Sequence, residues 1–323
     1  MLIKFRIIFK YSLILFFIFF IDLTIEAEDS FGYLSYETRN NGDDIQAIAA
    51  RRFLSENAIP INREFIHDFY HQKVVNTIMN GWYMHTNHAR SGWDKPRFTY
   101  PKTSWPPSQS IHPLLISIHF TQQFLPEAFS DEGIAYLKKY APVGARDYYT
   151  LKELEKRGIP SYFSGCLTLT LENEYRNNQR KNIIYAVDIN QKCLAFIKSH
   201  ANCEVKSITH GISQFATHDE RLARAQKLLD QYKQARCVIT SRLHAALPCL
   251  AFETPVLLIN SQPDQYRFEG LLELLMNCSV DDFLEEKFLF DFNHPPENSN
   301  HYLFLREKLI ETVSEWVQKN KTS

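Results

Sequence analysis

The chain has 323 residues, of which 45% are apolar and 14% aromatic, with only 10 glycines. That composition excludes a disordered or low-complexity protein and supplies core for one large or two ordinary domains. A net charge of -1 gives no global field for nucleic acid, so an anionic ligand has to be held by a local cluster of positive groups. The six cysteines form no C-x-x-C pair and no spacing to histidine that reads as zinc, and no metal is expected. Cys166, Cys237 and Cys249 lie in apolar runs and read as small buried hydrophobes.

In chain order, Lys4, Arg6 and Lys10 precede an apolar run from Tyr11 to Ile21 that Asp22 closes. This run is shorter than the ~20 residues needed to span a bilayer. Positive flank, short apolar run and polar continuation mark residues 1–27 as a signal peptide or membrane anchor. Membrane association through that segment, and a membrane-associated or secretory/envelope location, are the corresponding expectations.

Strand, turn and helix then alternate. Phe31 to Tyr36 reads as a strand, and Asp43 or Asp44 opens a helix to Leu54 with Ile45, Ile48, Ala49 and Phe53 on one face. An irregular stretch with Trp82, Trp93, Trp105, Pro96, Pro101, Pro106 and Pro107 reads as a wall or lid over a cleft. Leu114 to Phe120 is expected to be one buried parallel strand, and His119 at its end a satisfied core histidine. A helix from Asp131 to Tyr140 and another from Tyr148 to Arg157 follow, the second capped by Asp147 and stopped by Gly158 and Pro160. Tyr162 to Leu171 is expected to be a strand region.

The hydrophilic stretch from Glu172 to Asn182 marks a boundary, which divides the folded chain into domains at 28–175 and 176–323. Beyond it, Ile183 to Val187, Cys203 to Ile208, Cys237 to Thr240 and Pro255 to Ile259 read as strands. Glu220 to Gln234, Leu243 to Phe252, Leu271 to Met276 and a last stretch carrying Leu305, Leu309, Val313 and Trp316 read as helices. The fold class expected is α/β, with two Rossmann-like doubly wound domains facing a cleft.

Ligands bind such folds at the carboxyl ends of strands, which singles out three loops. In Thr240-Ser241-Arg242-Leu243-His244, Ser241 can cap the following helix and Arg242 can grip a carboxylate or phosphate with two parallel hydrogen bonds. His244 can donate or accept a proton near neutrality, and Pro248 is expected to kink or delay the helix. In Gly144-Ala145-Arg146-Asp147, Arg146 can reach over a helix N-terminus while Asp147 caps it. In Asn40-Asn41-Gly42-Asp43-Asp44, Gly42 allows close backbone approach and Asp43 or Asp44 can orient or deprotonate a hydroxyl. Arg267, after the strand ending at Ile259, is a further anion-binding candidate. Each of these also has an ordinary reading as a surface arginine, a helix cap or a turn.

Taken together the segments resemble a known family. G-A-R-D-Y-Y-T-L-K-E-L-E-K-R-G-I, Y-F-S-G-C-L-T-L-T-L and V-I-T-S-R-L-H-A-A-L-P-C-L-A-F-E-T-P-V-L-L-I are similar, in order and spacing, to the polysaccharide pyruvyl transferases. The opening G-Y-L-S-Y-E-T-R-N-N-G-D-D-I resembles the start of members as well, so the likeness runs from Phe31 to Gly270. The resemblance implies a GT-B-like pair of domains and phosphoenolpyruvate as co-substrate with no other cofactor. A glycan or polysaccharide diol would accept the pyruvyl group as a ketal. Arg242 and His244 match the family's R-L-H donor-binding motif, and Arg146 matches the arginine of its R-D motif. On this reading Arg146, Arg242, Ser241 and Arg267 bind the donor, His244 as imidazolium gives the proton, and Asp43 orients the acceptor. A nucleotide-sugar-dependent glycosyltransferase and a catalytically inactive glycan-binding relative are the alternatives.

Overall fold

The computed structural model describes residues 30–83, 105–174, 180–260 and 266–321. The segment 1–27, and Trp93, Pro96 and Pro101 of the aromatic stretch, lie outside the described residues. The chain is a mixed α/β protein whose strands pair in parallel. Its first half runs β1 (Phe31–Ser35), α1 (Gly42–Arg51), β2 (Ile59–Asn62), β3 (Val75–Ile78), β4 (Trp82–Tyr83), β5 (Ile111–Leu114) and β6 (His119–Phe120). It continues with α2 (Leu125–Ala128), α3 (Asp131–Lys139), β7 (Val143–Ala145), α4 (Tyr148–Glu155) and β8 (Ser161–Phe163). The second half runs β9 (Ile183–Val187), α5 (Gln191–His200), β10 (Glu204–Ile208), α6 (His218–Gln234), β11 (Cys237–Thr240), α7 (Leu243–Ala251) and β12 (Val256–Asn260). The chain closes with β13 (Asn277–Ser279), α8 (Val280–Leu284) and α9 (Leu303–Lys319).

The main sheet of the first half has the order β2-β1-β3-β5, and that of the second half β10-β9-β11-β12-β13. In each, the strand that opens the sheet sends its successors to opposite sides. That reversal leaves a crevice beyond the carboxyl ends of β1 and β3, and another beyond β9 and β11. Helices cover these sheets, so β11 and β12 are buried throughout and are continuous apolar runs rather than alternating ones. Among the described residues no helix is long and apolar enough to cross a membrane. Cys166, Cys237 and Cys249 are buried, as expected of small hydrophobes.

The structure revises four expectations. Leu114 to Phe120 is not one strand: Ser117 takes a φ of 54°, which breaks the extended run. Its ends go to different sheets, β5 in the main one and β6 beside β4. Tyr162 to Leu171 is strand only as far as Phe163, after which Leu167–Thr170 turns as a 3-10 helix. Leu271 to Met276 holds a 3-10 turn at Leu272–Leu274 that leads into β13, because the apolar run is too short to propagate an α-helix. Trp105, expected in a wall or lid, is a core residue at 1% exposure. Its ring packs edge-on against Tyr83, Phe120 and Tyr136 at 5.3, 5.6 and 5.6 Å.

Polar bonds join the two halves beside both crevices. The Asn41 N–H donates to the His210 carbonyl at 2.7 Å, and the Ile212 N–H to the Arg39 carbonyl at 3.1 Å. Below them the Arg221 guanidinium of α6 makes a two-bond fork with the Asp44 carboxylate of α1, at 3.0 and 2.9 Å. Both side chains are sealed from solvent, and Asn41 adds a 2.7 Å bond to Asp44. Helix α9 returns to the first half, where Trp316 packs on Phe31 and His112 at 6.2 and 5.9 Å.

Removing one member of a buried ion pair leaves the other charge uncompensated. Arg221→Met is therefore expected to lower stability by about 3–5 kcal/mol, read by urea unfolding. Asp44→Asn combined with Arg221→Met should recover part of that loss. A single-variant loss under about 1 kcal/mol would show that the fork does not hold the halves together.

Candidate active site

The second-half crevice is built by the chain turning from β11 into α7. Every residue of α7 is buried, and the helix continues through Pro248 to Ala251. Packing holds the helix although Pro248 has no N–H for the His244 carbonyl; the Phe252 N–H bonds the Pro248 carbonyl at 2.9 Å. Ser241 does not cap this helix. Arg242 occupies the cap position with no side-chain cap bond, and the Ser241 hydroxyl instead donates to the Asp188 carbonyl at 2.8 Å. Arg242 stands at the rim, 43% exposed, where its Nε donates to the Asp188 carboxylate at 2.9 Å. Asp188, Asn190, Ser241, Arg242 and Ile259 line a cavity of about 400 Å³ at these strand ends.

His244 lies deeper. Gly42 of α1 comes close enough that a Cβ there would stand 3.2 Å from the His244 Cβ and 2.9 Å from His210 Nδ1. Close approach of the backbone is thus what glycine provides at this loop. Burial, and then the positive charges of Arg146, His210, Arg267 and Arg242, push the His244 imidazole well below its ordinary pKa. These effects oppose the imidazolium expected near neutral pH.

Arg146, expected to reach over a helix N-terminus, is 2% exposed, which excludes its ordinary reading as a surface arginine. Its N–H donates to the Ile118 carbonyl at 2.8 Å, and its Nε lies 3.5 Å from Asp147 Oδ2. Asp147 caps α4 as expected, accepting from the Thr150 N–H at 2.9 Å. It also accepts from His119 Nδ1 at 2.5 Å. Arg267 lies on a 3-10 turn with its guanidinium 5.2 Å over the Trp82 ring. Burial first, then the guanidiniums of Arg146 and Arg242, lower it to about 10. Asp43 is 1% exposed and accepts from the Thr38 hydroxyl at 2.7 Å; its charge acts on Arg267.

The structure therefore brings Asp43, Arg146, Arg242, Arg267 and His244 into one electrostatic neighbourhood, with Ser241 bracing its wall. Arg146 Nε, Arg267 Nε and His244 Nε2 are buried and have no hydrogen-bond partner among the described residues. Buried polar atoms are normally paired, so three in a crowd of positive charge make a place for an anion. Among the described residues no group of three or more His, Cys, Asp or Glu could hold a metal ion.

The reading of strand-end loops missed Asp188 and His210, although the first directly follows β9 and the same rule would have found it. Burial lowers the His210 imidazole to about 4, with Asp188 acting in the opposite direction, while its Nε2 meets the Tyr232 hydroxyl at 2.7 Å. His119, read as a satisfied core residue, is satisfied on one nitrogen only: its Nε2 has no partner among the described residues.

A family model described as polysaccharide pyruvyl transferase matches residues 40–263, more than half of the chain. The chain belongs to the polysaccharide pyruvyl transferase family. No curated protein matches it. For this pyruvyl transferase relative, the matched span holds Asp43, Arg146, Ser241, Arg242 and His244 and stops short of Arg267, which enters the site on geometry alone.

The imidazoles of His119 and His210 should stay neutral down to about pH 4, read by histidine nitrogen shifts in the ligand-free protein. Signals that titrate near 6.5 would contradict their burial. Arg146→Met, which removes the leading positive charge on His244, should move the His244 pKa upward in the same experiment.

Proposed function

We propose that this protein transfers the pyruvyl group of phosphoenolpyruvate to a sugar diol of a glycan or polysaccharide, leaving a ketal and inorganic phosphate. The observation that carries the reading is the set of buried nitrogens without a hydrogen-bond partner among the described residues on Arg146, Arg267 and His244, of which Arg146 and His244 fall inside the span matched by a pyruvyl transferase family. Phosphoenolpyruvate presents a carboxylate and a phosphate on a small frame. Guanidinium forks suit both groups.

In the proposed reaction Arg146, Arg242 and Arg267 hold the two anionic groups, and Arg242 exchanges its bond to Asp188 for one to the donor. The donor's charge offsets the guanidiniums around His244 and raises its affinity for a proton, so His244 becomes an acid only in the loaded site. Protonation of the methylene carbon makes C2 electrophilic. One hydroxyl adds there, and the second replaces phosphate, which leaves with the bonding electron pair. The arginines stabilise that departing charge, and Asp43 orients the acceptor. The domain division at 28–175 and 176–323, the GT-B-like cleft and the targeting role of residues 1–27 belong to the same proposal.

The cavity of about 400 Å³ beside Asp188 and Arg242 favours a second reading, a nucleotide-sugar-dependent glycosyltransferase, because it has room beyond a phosphoenolpyruvate. Ligand-dependent thermal stability separates the two. A ligand that binds only the folded state adds about 2.7 kcal/mol at a hundredfold excess over Kd. Phosphoenolpyruvate should stabilise the protein in this way, and Arg242→Ala and Arg146→Met should lose most of the gain. Stabilisation by a nucleoside diphosphate, with none by phosphoenolpyruvate, selects the glycosyltransferase. His244→Ala should lower kcat about 10²–10⁴-fold with a smaller effect on donor binding. Full turnover in the folded variant removes His244 as the acid.

A further inference from the structure

Ketal formation makes two demands for a base. Each of two hydroxyls must give up a proton as its oxygen bonds to the same planar carbon. Asp43 can serve one of them. A second acceptor stands within the field of Arg146 and Arg267, in a residue to which the sequence assigned only a packing role.

His119 comes from β6 and is fully buried. Its ring stacks on Tyr266 at 5.8 Å and lies 6.1 Å from Trp82, the ring under the Arg267 guanidinium. Its Nδ1 meets Asp147 Oδ2 at 2.5 Å, with the Thr150 hydroxyl at 3.3 Å. Burial acts to raise the Asp147 carboxyl, but His119, Arg146 and the Thr150 N–H together hold it below its usual pKa, so it is an ionised acceptor. The proton between them therefore belongs to Nδ1, and Nε2 carries a lone pair. That nitrogen is buried without a partner among the described residues.

We infer that His119, oriented by Asp147, is the base that takes the proton from one of the two acceptor hydroxyls. This rests on the pyruvyl-transfer reading above. As the hydroxyl oxygen bonds to C2, its O–H bond breaks and the proton passes to Nε2, while the methylene carbon takes a proton from His244. When the second hydroxyl replaces phosphate, its proton leaves with the phosphate; His119 then gives its proton to solvent and His244 takes one from solvent, so each turnover consumes a diol and an enol ester and returns a ketal and phosphate. The groups acting on His119 are Asp147, Arg146 and Arg267. Burial and the two guanidiniums outweigh Asp147 and hold the imidazole down to about 4, which keeps it neutral as a base must be. Asp147 has the orienting part that the carboxylate takes in serine-protease triads.

The test is His119→Asn, whose side-chain amide can still donate to Asp147 but offers no lone pair at the Nε2 position. Phosphate release from phosphoenolpyruvate is followed with a panel of methyl hexopyranosides, beside thermal stabilisation by phosphoenolpyruvate alone. The variant should bind the donor within about twofold of wild type and lose about 10²–10⁴-fold in kcat. The acid limb of the wild-type pH profile should disappear, leaving a residual rate that rises with pH. Asp147→Asn, which favours the other tautomer, should lower kcat without restoring that limb. Wild-type kcat and profile in His119→Asn would overturn the inference, and loss of donor stabilisation would place His119 in donor binding instead. If wild type neither responds to phosphoenolpyruvate nor releases phosphate with any sugar, the pyruvyl-transfer reading fails, and the dyad has no reaction to serve.

Discussion

The fork between Asp44 and Arg221 is the constraint on which the site depends. It ties α1 to α6 with two charge-assisted bonds in a place that water does not reach. A pair of this kind repays the cost of desolvation only when its geometry is good and the remaining lone pairs are engaged, and Asn41 supplies that engagement. The same asparagine bonds the Arg221 carbonyl through its side chain and the His210 carbonyl through its backbone. The loop after β1 is thereby fixed against the loop after β10. Only then can Gly42 sit at the Cβ of His244 and Asp43 fall within range of Arg267.

Charge distribution around that joint is deliberately uneven. Asp147 and Asp188 each stand beside an arginine, Arg146 and Arg242, but both carboxylates are shared. Asp147 also holds His119 and a helix end, and Asp188 also accepts from Thr209 and the His210 N–H. The guanidiniums are thus oriented more than they are neutralised. Burial first, and then their repulsion, lowers Arg267 and pushes the His244 imidazole well below its ordinary pKa. On the proposed function, an anionic donor in the crevice would offset the charge part of both effects and so couple its binding to the proton affinity of His244.

The alternation of apolar strands with polar loops and striped helices identified the α/β class, and β9, β11 and α6 fall where periodicity placed them. The strand-end rule found Arg146, Arg242 and His244 because the residues that leave a strand are fixed by local sequence. It was less reliable where identity and burial diverge. Nothing local distinguishes Arg146 as buried, since an arginine before a capping aspartate is usually at the surface. Nothing local shows that Ser117 turns the chain and sends β5 and β6 to different sheets.

By itself, then, the sequence determined the class of fold, the order of its elements, the membership of a pyruvyl transferase family and the loops that bear its arginines. These follow from hydrophobic period, cap residues and motif spacing, all properties of neighbours along the chain. Tertiary structure alone decided which groups meet: Asp44 with Arg221 across 177 positions, and His119 with Asp147 across 28. It also decided that the His244 imidazole is pushed below its ordinary pKa and that Ser241 braces a wall rather than capping a helix. Those outcomes depend on desolvation and on charges brought close by folding, and neither quantity exists in the chain until the halves are joined.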